Sequence, residues 1–144
     1  MAEVLMKKYI KNTEIEADYK ISSAGLYASD GETASPKSVN AVKRFGLDLS
    51  THRSVQLDAE IVQKAFLILT MTNAQKIDLV RTFPNASDKT FVLSEYACED
   101  TGVPCKEIID PYGLGQDVYD QTLAILERYI RQLILRLQTK SERR

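Results

Sequence analysis

Few side chains in this sequence of 144 residues could do chemistry at neutral pH. Two are thiols, Cys98 and Cys105. One is an imidazole, His52, and one is a carboxylate set against a proline, in Asp110-Pro111-Tyr112-Gly113. Two cysteines are too few for a disulfide framework. One histidine with two cysteines falls short of the four closely spaced ligands of a structural zinc site, so no metal centre is expected. A lone histidine is ordinarily a surface residue or a satisfied core residue. An Asp-Pro pair, from the residues alone, is first a turn: the proline ring restricts the backbone before it, and aspartate readily bonds its own backbone. Tyr112 read in the same way is a half-buried loop aromatic, and Cys98 and Cys105 are two ordinary loop thiols.

These groups need elements to position them. Met1 to Asn12 reads as a helix, with Val4 and Leu5 apolar and Lys7, Lys8 and Lys11 toward the end where the helix dipole favours cations. Tyr19 to Ser23 reads as a strand, followed by a small-residue loop from Ala24 to Ser35. Ser35-Pro36 is a helix start that carries Val39, Val42 and Phe45 inward and stops at Gly46. A polar loop, Ser50-Thr51-His52-Arg53-Ser54, leads to a short helix from Asp58 to Lys64. Ala65 to Met71 is continuously apolar, as a parallel strand covered on both faces would be. Thr72 caps a helix that runs to about Phe83, before Pro84. Thr90 to Leu93 reads as a further strand, Cys98 to Gly115 as a long loop, and Val118 to about Leu137 as a last helix with apolar residues at helical spacing. This alternation of strands and helices predicts an α/β fold with a parallel sheet in one domain.

Composition narrows the partners. The formal net charge of −1 gives no basic field for nucleic acid. The basic stretch from Lys140 to Arg144 reads as a solvated helix end. No apolar run approaches the roughly 18 residues of a membrane span, and the opening residues lack a signal-peptide pattern, so the expected setting is cytoplasmic.

Four segments in order, Ser22-Ser23-Ala24-Gly25, Leu49-Ser50-Thr51-His52-Arg53-Ser54, Leu67-Ile68-Leu69-Thr70-Met71-Thr72 and Ile109-Asp110-Pro111-Tyr112-Gly113, resemble the low-molecular-weight protein phosphatase family, whose members act on phosphotyrosine or phosphoarginine. Each segment is short, but in this order and spacing they are specific, and the resemblance covers essentially the whole chain. It implies a three-layer, flavodoxin-like α/β fold with a four-stranded parallel sheet of order 2-1-3-4. It also implies a Cys-x5-Arg loop between strand 1 and helix 1, which cradles phosphate on backbone N–H groups and supplies the attacking thiolate. Asp110 then matches the general acid and base, and Tyr112 the aromatic that walls the substrate slot. His52 matches a histidine that braces the phosphate loop, with Ser23 as the serine it contacts. The implied substrate is a phosphoprotein, and no metal or other cofactor is implied. Asp-Pro-Tyr-Gly, with one aromatic before glycine, is more similar to the arginine phosphatase branch than to the tyrosine branch.

The Cys-x5-Arg loop itself does not occur: six residues after Cys98 stands Pro104, and six after Cys105 stands Pro111. Arg53 is no substitute and is expected to pair with a surface carboxylate. Because the opening residues resemble the helix after the phosphate loop, the expectation is a chain that starts late, without strand 1 and its loop, roughly 12–16 residues. A misplaced start codon or a decayed gene would each produce it. Such a chain would leave the strand at Leu67 to Met71 with unpaired backbone, at about 1–3 kcal/mol per buried group, and is expected to be poorly stable and inactive. The rival readings are a non-catalytic remnant or binding protein, and an arsenate reductase, which would need Cys98 and Cys105 to form a disulfide during turnover.

Overall fold

In the computed structural model, which describes residues 1–99, 101–102 and 104–141, three helices, at Ser35, Asp58 and Thr72, begin on capping side chains. Helix α1 (Ala2–Ile10) pairs Glu3 with Lys7 one turn on. The Ser35 side chain accepts the Ser38 N–H at the head of α2 (Pro36–Lys43), with Pro36 in the first turn where its missing N–H costs nothing. Asp58 accepts from the Ile61 N–H at 2.8 Å to start α3 (Ala59–Lys64). Helix α4 (Asn73–Thr82) opens on a reciprocal capping box between Thr72 and Gln75. Each such cap contributes about 1 kcal/mol, which is why short polar segments fixed these boundaries.

Two parallel strands flank α4, β1 (Ile68–Thr70) before it and β2 (Thr90–Val92) after it, with Ile68 opposite Thr90 and Thr70 opposite Val92. Helix α5 (Leu93–Cys98) continues directly from β2, and α6 (Gln116–Ser141) ends the described chain. The end of the basic stretch, residues 142–144, lies outside the described residues, as do residues 100 and 103 of the loop before α6.

Several expectations are corrected. The sheet holds two strands among the described residues, so the four-strand order 2-1-3-4 is not seen. Tyr19 to Ser23 is not a strand. It makes no ladder with another described segment, and β-pairing needs a neighbour. The backbone stays extended at Tyr19, and Tyr19 and Ile21 pack their side chains on the core instead. The apolar run from Ala65 to Met71 forms ladder only over Ile68–Thr70, its contact with β2. Leu93, read as strand, begins α5.

The sheet nevertheless divides two apolar layers, by the period-two alternation of strand side chains. Leu67, Leu69 and Met71 pack on the large core formed by α1, α2, α5 and α6. Ile68 faces the other way, onto Val62 of α3, Leu79 of α4 and Ala86. Helix α6 is the spine of the large core: Leu123, Leu126, Ile130, Leu133 and Leu137 line one stripe that meets Leu5 of α1, Val42 of α2 and Leu93 of α5. Burying each of these leucines contributes about 1.5–3 kcal/mol.

Candidate active site

Asp110 sits on a loop pinned to the ends of regular elements. The Ile108 N–H donates to the Met71 carbonyl, one residue past β1, at 3.0 Å. The Glu107 carboxylate accepts the Asn73 N–H at 2.6 Å, in the first turn of α4, where a negative charge also suits the helix dipole. The Lys106 N–H donates to the Tyr129 hydroxyl of α6 at 3.0 Å. Ile108 is buried, whereas Ile109 is 73% exposed, so the chain turns outward immediately before Asp110. Beyond it, Leu114 N–H donates to the Pro111 carbonyl at 3.0 Å, with Gly113 at φ +80°, a conformation that L side chains rarely adopt. The Lys37 ammonium of α2 donates to the Leu114 carbonyl, and Gln116 Nε2 donates to the Lys37 carbonyl at 3.1 Å.

The result is an exposed carboxylate beside the carboxyl end of β1, which is where open α/β sheets bind ligands. One Asp110 oxygen accepts the Tyr112 N–H at 3.0 Å, forming the turn expected of Asp-Pro. The other carries no hydrogen bond among the described residues. Tyr112 is 79% exposed rather than half-buried, because Pro111 takes the inward position of the turn.

Ser23 and His52 form a second group, around a residue that sequence reasoning missed. The Ser23 hydroxyl donates to Glu3 Oε2 and the Lys7 ammonium to Glu3 Oε1. Burial pushes the Glu3 carboxyl up, but the hydrogen bonds from Lys7 and Ser23, with the fields of Lys7 and His52, outweigh it and hold the carboxyl below the ordinary glutamate range. Ser23 thus bonds Glu3, and His52 acts on the same carboxylate. An acid at the head of a helix with lysine four residues on reads as a surface pair, and nothing local points to a serine 20 positions away.

The loop that carries His52 is stitched to the small-residue loop. Gly31 N–H donates to the Ser54 carbonyl and Ser54 N–H to the Glu32 carbonyl, each at 2.9 Å. The Gln56 N–H donates to Asp30 Oδ1 at 2.6 Å. Among the described residues Arg53 pairs with no carboxylate: its Nη1 donates to the carbonyls of Ser50 and His52, because the tight turn at residues 50–51 presents both within reach of one guanidinium. No hydrogen bond or ion pair among the described residues joins this group to Asp110 or Tyr112. The thiols are also not two loop residues. Cys98 is buried at the end of α5, and Cys105 is exposed. Among the described residues no group of histidine, cysteine and acidic side chains could hold a metal ion, and no helix is long and apolar enough to cross a membrane.

A family model described as low molecular weight phosphotyrosine protein phosphatase matches residues 1–143. A protein-arginine-phosphatase of Bacillus subtilis (strain 168) is 34% identical over 144 residues, covering 100% of this chain and 90% of the relative. The low molecular weight protein-tyrosine-phosphatase Ptp of Acinetobacter johnsonii is 32% identical over 127 residues, covering 88% of this chain and 80% of the relative. The solved structure of the YwlE arginine phosphatase from Geobacillus stearothermophilus superposes with a TM-score of 0.84 at 33% identity, covering 99% of this chain and 86% of that one. A match over residues 1–143 gives no support to the expectation of a truncated, inactive chain.

Proposed function

The chain belongs to the low molecular weight phosphotyrosine protein phosphatase family, and from that premise we propose that it hydrolyses phosphotyrosyl or phosphoarginyl groups of proteins, with arginine slightly favoured, in a cytoplasmic setting. The observation that carries this reading is the Asp110 loop: an exposed carboxylate, one oxygen of which has no hydrogen bond among the described residues, held beside the carboxyl end of β1 by backbone and side-chain bonds on both flanks.

In this reading Asp110 gives a proton to the leaving group as the P–O bond to tyrosine, or the P–N bond to arginine, breaks. The family's thiolate takes the phosphoryl group as a cysteinyl phosphate. Asp110, now ionised, then accepts a proton from the water that attacks phosphorus, and inorganic phosphate leaves. Tyr112 presents its ring one residue beyond Pro111, where an aryl phosphate could stack on it or a guanidinium rest on its face. Ser23 and His52 act at a distance from the reacting atoms, by fixing the charge of Glu3 and with it the head of α1.

A second reading rests on a specific observation. Neither Cys98 nor Cys105 begins a Cys-x5-Arg loop, and Cys98 is buried. In that reading the 144 residues keep the acid without a nucleophile of their own and serve as a non-catalytic phosphoprotein binder. The two readings separate in one assay: release of inorganic phosphate from matched phosphoarginyl and phosphotyrosyl peptides by the 144-residue chain, alongside its thermal melt. Turnover with a cooperative melt supports the enzyme, and the ratio of kcat/KM for the two peptides assigns the branch. No phosphate release from either peptide overturns catalysis for this chain.

A further inference from the structure

A cavity of about 370 Å³ lies between α5 and the last two turns of α6, in the size range of small-molecule sites. It is remote from the Asp110 loop: Arg136 in its wall stands 20 residues beyond Gln116, about 30 Å along α6. Ala97, Leu135 and Thr139 line it together with Arg136 and Lys140. Both cations are held on one buried ring. The Arg136 guanidinium lies 4.2 Å and the Lys140 ammonium 4.9 Å from the centroid of Tyr96. Arg136 donates through Nη1 to the Tyr96 carbonyl and through Nη2 to the Glu99 carboxylate, while its Nε is buried with no hydrogen-bond partner among the described residues. Lys140 donates to the Tyr96 hydroxyl at 3.1 Å, a neutral acceptor, and no carboxylate among the described residues pairs with it. Two cations four residues apart on a helix repel, and Leu135 beside them is 58% exposed.

We infer that this cavity binds a small organic anion, a carboxylate head on a short aliphatic body. The head accepts from the Lys140 ammonium and, after a small turn of the guanidinium, from the Arg136 Nε, which pairs the orphaned donor and relieves the repulsion between the two cations. The body covers Ala97 and Leu135, taking apolar surface out of water. Two features oppose the ligand and set its charge. Glu99 already holds one guanidinium nitrogen, and the carbonyl end of α6 is negative, so a monoanion is accepted where a phosphate dianion is not. A ligand of about eight heavy atoms on such a partly open site binds with a Kd on the order of 1–10 mM. The site is separate from Asp110 and does not depend on the phosphatase reading.

The test is a titration of the isotope-labelled full chain with hexanoate, followed in two-dimensional amide NMR spectra. The amides of Ala97, Leu135 and Thr139 should shift together and saturate, whereas Gly113 and Leu114 report separately on the Asp110 loop. Lys140→Met keeps the stem that packs on Tyr96 and removes the charge, and should weaken hexanoate roughly tenfold, the loss of one charge-assisted contact. Hexan-1-ol has the body without the charge and acetate the charge without the body, so each should bind at least about tenfold more weakly than hexanoate. Equal binding by either, an unchanged affinity in Lys140→Met, or hexanoate shifts that fail to saturate or fall only in the Asp110 loop overturn the proposal. The same spectra report folding: a chain without dispersed amide peaks has no formed cavity, which overturns it as well.

Discussion

The loop that carries Asp110 and the loop pair that carries His52 are held in opposite ways. The first is pinned at its flanks to the ends of β1, α4 and α6, and its middle, Asp110 to Tyr112, is left exposed. The second is stitched loop to loop, with Ser54 and Gln56 bonded into residues 26–32 and His52 half-buried. A group that must exchange protons with a substrate needs a fixed position and an open face, which flank anchoring supplies. A group that sets a neighbour's charge needs exclusion from water, which stitching supplies.

The largest effect that tests this contrast is on rate. Asp110→Asn should lower kcat by about 10²–10⁴-fold on whichever phosphopeptide is turned over, with stability changed by less than about 0.5 kcal/mol. An unfolding midpoint that drops while rate per folded molecule holds would make Asp110 a turn residue and dissolve the contrast. Glu107→Ala removes the carboxylate from the first turn of α4. It should cost about 0.5–2 kcal/mol in urea unfolding and also reduce kcat, since one flank of the Asp110 loop is released. Rate unchanged at lower stability would show that the remaining anchors suffice. Ser23→Ala should cost about 1 kcal/mol, because the Glu3 oxygen it leaves is half-buried, and should spare a rate limited by the Asp110 step.

The smallest effect concerns pH. The Glu3 carboxyl lies below its ordinary value of 4.5 in the folded chain. The unfolded chain therefore binds the proton first on acidification, and stability rises with pH through that window. The Glu3 contribution is complete above 4.5 and fades as the pH falls through the lower folded value. Urea midpoints followed from about pH 7 to about pH 3 should fall less steeply for Glu3→Gln than for the natural chain. Parallel acid limbs would remove Glu3 from the account.

What could be read in advance follows the range of the interaction. Ser35-Pro36, Asp58 and Thr72 act within one turn, and each marked the start of its helix. The apolar stripe of α6 was legible over 118–137, and only its polar ends were missed. Helix α5 went unread because it is six residues long, has no side-chain cap and follows a strand without a break, although Leu93, Tyr96 and Ala97 carry helical spacing. The sheet order was not legible: pairing is between distant segments, and Tyr19 to Ser23 has strand composition but no ladder. At the candidate site, Asp110 and Tyr112 stood out through their motif. Glu3 did not, since its partners come from three separate segments. The burial of Cys98 was not legible either, because the six-residue helix that carries it was not.

The alternation of β1 between the two cores has a consequence for which changes this fold can absorb. Leu67, Leu69 and Met71 enter one layer and Ile68 the other, so the strand works as a phase marker between them. Exchanging one of these residues for another of similar volume perturbs a single layer, typically by less than about 1.5 kcal/mol. Inserting or deleting one residue between Ala65 and Ile68 inverts the phase, sending every side chain of the strand into the wrong layer at once and displacing the Met71 carbonyl that receives Ile108. Length, more than composition, is what this segment cannot vary.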